Sequence, residues 1–228
     1  MTQTLDFTST PDLRRLFVTS LVRRHPPTGP GAVLPDVRAR QDGIRIDTDR
    51  LIRYARVCGF TVGEALPLTY PHVLGFPLQV AVMARADFPF ALVGLVHVEN
   101  VISWSRPLTP GDALDVEVRP QGPRAHRRGQ VFDLVTDVSV AGAPVWHGLT
   151  TYLARGKGDR EAATAQPPSV AELGEGTVTI DVPGDIGRRY AGVSGDPNPI
   201  HMYAVTARLF GFKSAIAHGM WSYARVLA

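Results

Sequence analysis

Asp196 and His201 stand five residues apart in the stretch YAGVSGDPNPIHMYAVTA, Tyr190 to Ala207, near the C-terminal end of the sequence. A carboxylate and an imidazole held together can share one water, with acid and base roles divided between them. The residues between them suit that task. Asn198 is a good helix N-cap and Pro199 a good first helical residue, so His201 falls in a first turn and Asp196 in the loop leading in. Downstream, the segment IAHGM places Gly219 near the start of a further helix. A backbone N–H there can polarise a carbonyl and stabilise enolate-like charge. Each residue alone also has a plain reading: Asp196 as a turn aspartate, His201 and His218 as structural histidines, Gly219 as a close-packing glycine. The spacing of Asp196, Asn198, Pro199 and His201 favours catalysis. His201 depends on Asp196 for its case, and Gly219 stays open between its two roles.

The elements that position these groups occur twice. IRIDTDRLIRYARVCGF (Ile44 to Phe60) and VTIDVPGDIGRRYAGVSGD (Val178 to Asp196) each hold an alternating run ending Ile-Asp, a polar spacer and an Arg-Tyr-Ala-x-Val-small-Gly pattern. Tyr54 answers Tyr190, Cys58 answers Ser194 and Gly59 answers Gly195, while Phe60 stands where the second copy has Asp196. Further on, TYPHVLGFPLQVAVMA echoes AIAHGMWSYARVLA, with His72 facing His218. Between those landmarks the second copy carries about ten extra residues, the segment with His201 among them, so one half works and the other is derived. The echo also makes His218 a structural residue, because His72 lies in the half without the motif.

Each half therefore reads as a strand, a long buried helix and an antiparallel sheet packed on it. In the first half the apolar run Phe76 to Leu95 supplies the helix. Four strand-like segments follow, with turn signals at Pro110-Gly111, Gly122-Pro123 and Ala141-Gly142. The small, polar segment Gly156 to Gly176 is a linker. The domain division is thus 1–155, a linker 156–176, and 177–228. By the repeat, about four strands after the second helix have no counterpart before Ala228, so the second unit is expected to be incomplete in this sequence.

Composition removes several classes. The 228 residues are 44% hydrophobic and 20% charged with a net charge of +3, as in an ordinary globular protein, and no apolar run reaches membrane-spanning length. The N-terminus lacks the layout of a secretory signal, so an intracellular, cytoplasmic location is expected. A single cysteine, Cys58, rules out an intrachain disulfide and a multi-cysteine zinc site. It packs as a small apolar residue. Arginine pairs at 14–15, 23–24, 127–128 and 188–189 are solvated surface or attract an anionic ligand. Their scatter, with no accompanying motif, argues against nucleic acid. Trp104, Trp146 and Trp221 are expected in the core or packed on the sheet. The segment DLRRLFVTSLV is expected as a short amphipathic helix docked on the body rather than on a membrane.

The stretch from Tyr190 through His201 to Ala207, followed by GFKSAIAHGM, resembles the MaoC-like, hydratase-2 group of R-specific enoyl-CoA hydratases, which have the hot-dog fold. The duplicated layout resembles the double hot-dog members, whose N-terminal unit has lost the motif and makes room for longer acyl chains. The resemblance implies an α+β tandem hot-dog in which Asp196 and His201 are the catalytic pair, Asn198 a supporting group and the Gly219 amide the oxyanion donor. It implies reversible syn addition of water to a trans-2-enoyl-CoA, giving an (R)-3-hydroxyacyl-CoA, with no cofactor and no metal. Arg188 and Arg189 are candidates for the CoA phosphates. Tyr203 stands where many relatives carry an acidic residue, which alters the electrostatics of the helix start and leaves the pair intact. An acyl-CoA thioesterase and a non-catalytic partner subunit are the alternatives. Assembly as a homodimer, or as a heterodimer with another hot-dog subunit, is open.

Overall fold

The computed structural model describes residues 2–21, 32–162 and 179–228. The expected linker lies mostly outside the described residues, as do Arg23 and Arg24. Six strands form one sheet: β1 (Gln3–Phe7), β2 (Val37–Ile44), β3 (Val96–Trp104), β4 (Leu114–His126), β5 (Gly129–Val140) and β6 (Ala143–Arg155). Their order is β1-β2-β4-β5-β6-β3, antiparallel except for the parallel β1–β2 pair. Before the sheet core come helix α1 (Leu13–Leu21) and, after β2, helices α2 (Thr48–Cys58) and α3 (Tyr70–Met83).

Helix α3 is the axis of the fold. All fourteen of its residues are buried, and a helix apolar on every face needs cover on every side. Gly75 permits its approach to the sheet, because a Cβ there would come 2.8 Å from the Thr136 methyl on β5. The helix begins six residues before the expected Phe76 and stops at Met83. The chain then turns, with Arg85 paired to Asp87, and re-enters the core at Phe88 and Phe90.

Two buried polar side chains, His72 and Gln79, interrupt the apolar surface of α3. Gln79 is fully buried, donates from Nε2 to Thr136 Oγ1 at 3.0 Å and accepts from the Tyr152 hydroxyl at 3.0 Å. Gln79→Leu leaves both hydroxyls without this partner inside the core. It should lower the unfolding free energy by about 1–3 kcal/mol in a urea titration.

Three expectations are corrected. Gly122-Pro123 is not the turn between β4 and β5 but lies within β4, where the register shifts between Gln121 and Arg124. Gly122 adopts φ 96°, a conformation open to glycine, and the turn falls instead at Arg127-Arg128. The alternating run of the second copy forms no strand over 179–182, because a strand needs a neighbour to satisfy its backbone and none lies beside it among the described residues. Trp104 is half exposed, at 52%. It sits on β3, which is an edge strand beside β6 among the described residues. Trp146 and Trp221 are buried as expected.

The second half is helical among its described residues: α4 (Ile186–Ser194), α5 (Pro199–Met202), α6 (Ala204–Leu209) and α7 (Gly219–Leu227). It folds onto the first half at the positions that the repeat matches. The rings of Tyr54 on α2 and Tyr190 on α4 approach to 6.1 Å. Both helices end on a left-handed glycine, Gly59 at φ 88° and Gly195 at φ 83°, each donating its N–H back to the alanine of the matched pattern, Ala55 or Ala191. Arg50 of α2 caps the end of α4, donating to the carbonyls of Val193 at 3.0 Å and Ser194 at 3.2 Å. The Trp221 indole donates to the Val57 carbonyl at 3.0 Å. Helix α1 docks as expected: Asp12 accepts from the N–H groups of Arg14 and Arg15, Phe17 is buried, and Leu13 lies beside Gly195.

Candidate active site

The loop between α4 and α5 is held by its own side chains. Asp196 Oδ1 accepts the N–H of Asn198 at 3.0 Å. Asn198 then caps α5 through the N–H of Ile200, and its Nδ2 donates to the Leu95 carbonyl of the first half at 3.2 Å. Both ends of Asn198 are thus occupied by the scaffold, which makes it the clamp of the loop. The His201 ring is fixed by Nδ1 at 2.8 Å from the Ile216 carbonyl. A carbonyl only accepts, so Nδ1 carries the proton and Nε2 presents a lone pair. Burial holds the His201 pKa below the ordinary imidazole range, opposed by Asp196 and by the Ile216 carbonyl. The neutral, basic form therefore prevails at neutral pH.

His218 joins this pair. Its ring stacks on His201 with centroids 3.7 Å apart, and its Nε2 lies 3.2 Å from the Asp196 carbonyl oxygen and 3.6 Å from Asp196 Oδ2. The candidate ligand atoms of Asp196, His201 and His218 all lie within 4.8 Å of one another, a separation that one water spans. The same three groups could be read as a metal cluster. The rings of His201 and His218 are only 25° from parallel, so their in-plane lone pairs run side by side rather than converging on one ion. With Nε2 donating to a carbonyl, His218 also has just Nδ1 left to offer. The set fits a water better than a cation.

These groups line a cavity of about 40 Å³ together with His72, Phe76, His97, Tyr152, Tyr190, Ser194 and Gly219. That volume holds a water or a few of them. Gly219 is the first residue of α7, so its N–H has no acceptor within the helix and stands at the positive end of the helix dipole.

The structure thus brings Asp196, Asn198, His201 and Gly219 to one place. Arg188 and Arg189 are on the exposed face of α4, outside the cavity lining. Arg188 donates to the Met202 carbonyl at 3.1 Å and lies over the Tyr203 ring at 5.0 Å, so Tyr203 serves as a platform for an arginine. His218 was expected to be structural because of its echo in the first half. Both echoing histidines line the cavity, since the two halves close on each other there. His97 and Tyr152 escaped sequence reading. Each is one of several polar or aromatic residues in a mixed strand, and strand periodicity does not say what lies opposite.

Burial pushes the His218 pKa down to about 4 and that of His72 to about 3. These imidazoles are neutral in the folded protein and ordinary, near 6.5, in the unfolded chain. The unfolded state binds more protons below pH 6.5, so stability is full above that pH and falls as pH drops from about 6.5 towards 4. A series of melting curves from pH 8 to pH 4 should show this decline, and His72→Phe should make it shallower.

Residues 162–228 match the MaoC-like domain family. Over 196 residues the chain is 40% identical to 3-hydroxyacyl-thioester dehydratase X of Mycobacterium tuberculosis, covering 86% of this chain and 70% of that protein. The chain belongs to the MaoC-like dehydratase family. A crystal structure of HtdX from Mycobacterium tuberculosis aligns with a TM-score of 0.72 at 40% identity, over 84% of this chain and 75% of that one. A MaoC-like dehydratase from Phytophthora capsici, at 20% identity, gives 0.61 over 83% and 72%, a likeness of fold. The α+β hot-dog of these MaoC-like structures is the sheet wrapped on α3 described above. No helix among the described residues of this family member is long and apolar enough to cross a membrane.

Proposed function

We propose that this MaoC-like protein is an R-specific enoyl-CoA hydratase, acting reversibly as a 3-hydroxyacyl-CoA dehydratase, with Asp196 and His201 as its catalytic pair. The observation that carries this reading is the convergence of Asp196, His201 and the start of α7 on one small cavity. A water held between the Asp196 carboxylate and His201 Nε2 adds its oxygen to C3 of the enoyl thioester. One of its protons passes to the pair, and a proton returns from the pair to C2 on the same face. The Gly219 N–H receives the enolate-like oxygen that develops in between, a contribution typically worth about 10²–10³ in rate. The likeness to a protein named as a 3-hydroxyacyl-thioester dehydratase supports the reaction class. The division into a supporting unit 1–155, a linker 156–176 and a motif-bearing unit from 177 belongs to this reading.

The test is direct. The protein is mixed with a trans-2-enoyl-CoA, loss of the conjugated enoyl absorbance is followed, and the product is resolved on a chiral column. The (R)-3-hydroxy product supports the reading. Free thiol released without hydration would point to a thioesterase, and no turnover would point to a non-catalytic subunit.

A further inference from the structure

We infer that His97, on β3 of the motif-less half, is a substrate-positioning residue whose Nδ1 accepts a hydrogen bond from the amide N–H of the pantetheine arm that carries the thioester. The inference rests on the hydratase reading above and goes beyond it by assigning a role to a first-half residue.

The geometry fixes which nitrogen is available. His97 Nε2 lies 3.0 Å from the Glu99 carbonyl, which can only accept, so Nε2 carries the proton and Nδ1 is a bare acceptor. Stacking against His72 at 5.9 Å and a tilted contact with Tyr152 at 5.4 Å hold the ring in this orientation. Burial keeps its pKa below the ordinary imidazole range, so the acceptor form persists at neutral pH. No hydrogen bond to Nδ1 occurs among the described residues, and the ring lines the cavity.

The position of Nδ1 selects the donor. A Cβ on Gly219 would lie 3.8 Å from His97 Nδ1 and 3.7 Å from the His97 carbonyl oxygen, so Nδ1 sits beside the start of α7. A thioester carbonyl held by the Gly219 N–H puts its sulfur and the two methylenes of the arm next to that place. The first hydrogen-bond donor beyond them is the arm's amide N–H. A bare acceptor is poorly suited to face the enolate oxygen itself, and Asp196 and His201 already take the water. The arm's amide is the substrate donor left for it.

The experiment compares two small enoyl thioesters, one of N-acetylcysteamine and one of the isosteric O-acetyl mercaptoethanol, in which an ester oxygen replaces the N–H. The wild type should favour the amide by about five- to tenfold in kcat/KM, the value of one neutral hydrogen bond. His97→Gln keeps a donor for the Glu99 carbonyl, and with its Oε1 on the outer side of the amide it leaves no acceptor at the place of Nδ1. It should bring the ratio to about one, chiefly through KM, with an unchanged melting temperature. If His97→Gln does not fold, His97→Phe, which keeps the ring packing, serves in its place. An amide preference equal in wild type and variant overturns the inference and leaves the hydratase reading standing. A wild type that hydrates neither compound overturns both. Because CoA and carrier-protein thioesters share this arm, enoyl-CoA and an enoyl-carrier-protein are assayed in parallel. A loss in His97→Gln on either one supports the inference and names the carrier, and a loss on neither overturns it.

Discussion

Asp196→Asn should reduce hydration of an enoyl thioester by about 10²–10⁴-fold, the range that general acid–base groups contribute, while the fold stays unchanged. The fold survives because Asp196 Oδ1 accepts only the Asn198 N–H, and an asparagine oxygen can do the same. What is lost is the second carboxylate oxygen as a proton acceptor, since the amide presents N–H groups to the water instead. The negative charge that favours the protonated forms of His201 and His218 is also removed, so both imidazoles become harder to protonate in the reaction. Steady-state kinetics with the melting temperature as a control make the measurement. A variant that retains the wild-type rate removes Asp196 from the chemistry and favours a non-catalytic subunit, which would be indifferent to this change.

Gly187→Ala should be as damaging, by a different route. Gly187 lies in the first turn of α4 and is buried, and a Cβ there would overlap the backbone carbonyl of His201. Backbone cannot swing aside as a flexible side chain does, so α4 and α5 must separate. Overpacking of this kind costs about 1–3 kcal/mol, to be read from chemical denaturation. The activity loss should be larger than the stability loss implies. His201 is carried on the displaced turn, and a shift of about 1 Å in a catalytic group can cost 10²-fold. Gly192→Ala, on the same helix with nothing within 4 Å of its Cβ position, is the matched control and should remain active. Wild-type behaviour of Gly187→Ala would show that α4 and α5 do not need this close approach.

The local chemistry was legible in the sequence. An N-cap asparagine, a first-turn proline and a glycine before an apolar stretch are short-range signals, so Asn198, Pro199 and Gly219 announced their helix starts without knowledge of the rest. The duplication was equally readable. Matched residues end α2 and α4 on left-handed glycines and bring the rings of Tyr54 and Tyr190 into a tilted contact. Strand content followed from period-two runs, although Gly122-Pro123 was read as a turn, because a bulge and a turn use the same residues.

Partnership between distant segments was decided only by the tertiary structure. Arg50 reaches the end of α4 from α2, and Asn198 reaches Leu95; neither contact leaves a trace in local spacing. His72 and His97 belong to the half without the motif, yet they line the cavity because that half supplies the other wall. The pairing of Arg188 with Tyr203 and the exposure of Trp104 on an edge strand have the same origin. Residue type and spacing govern which backbone conformations are cheap nearby. Burial, protonation state and the occupant of the facing wall depend on long-range packing, and a single segment carries no information about what packs against it.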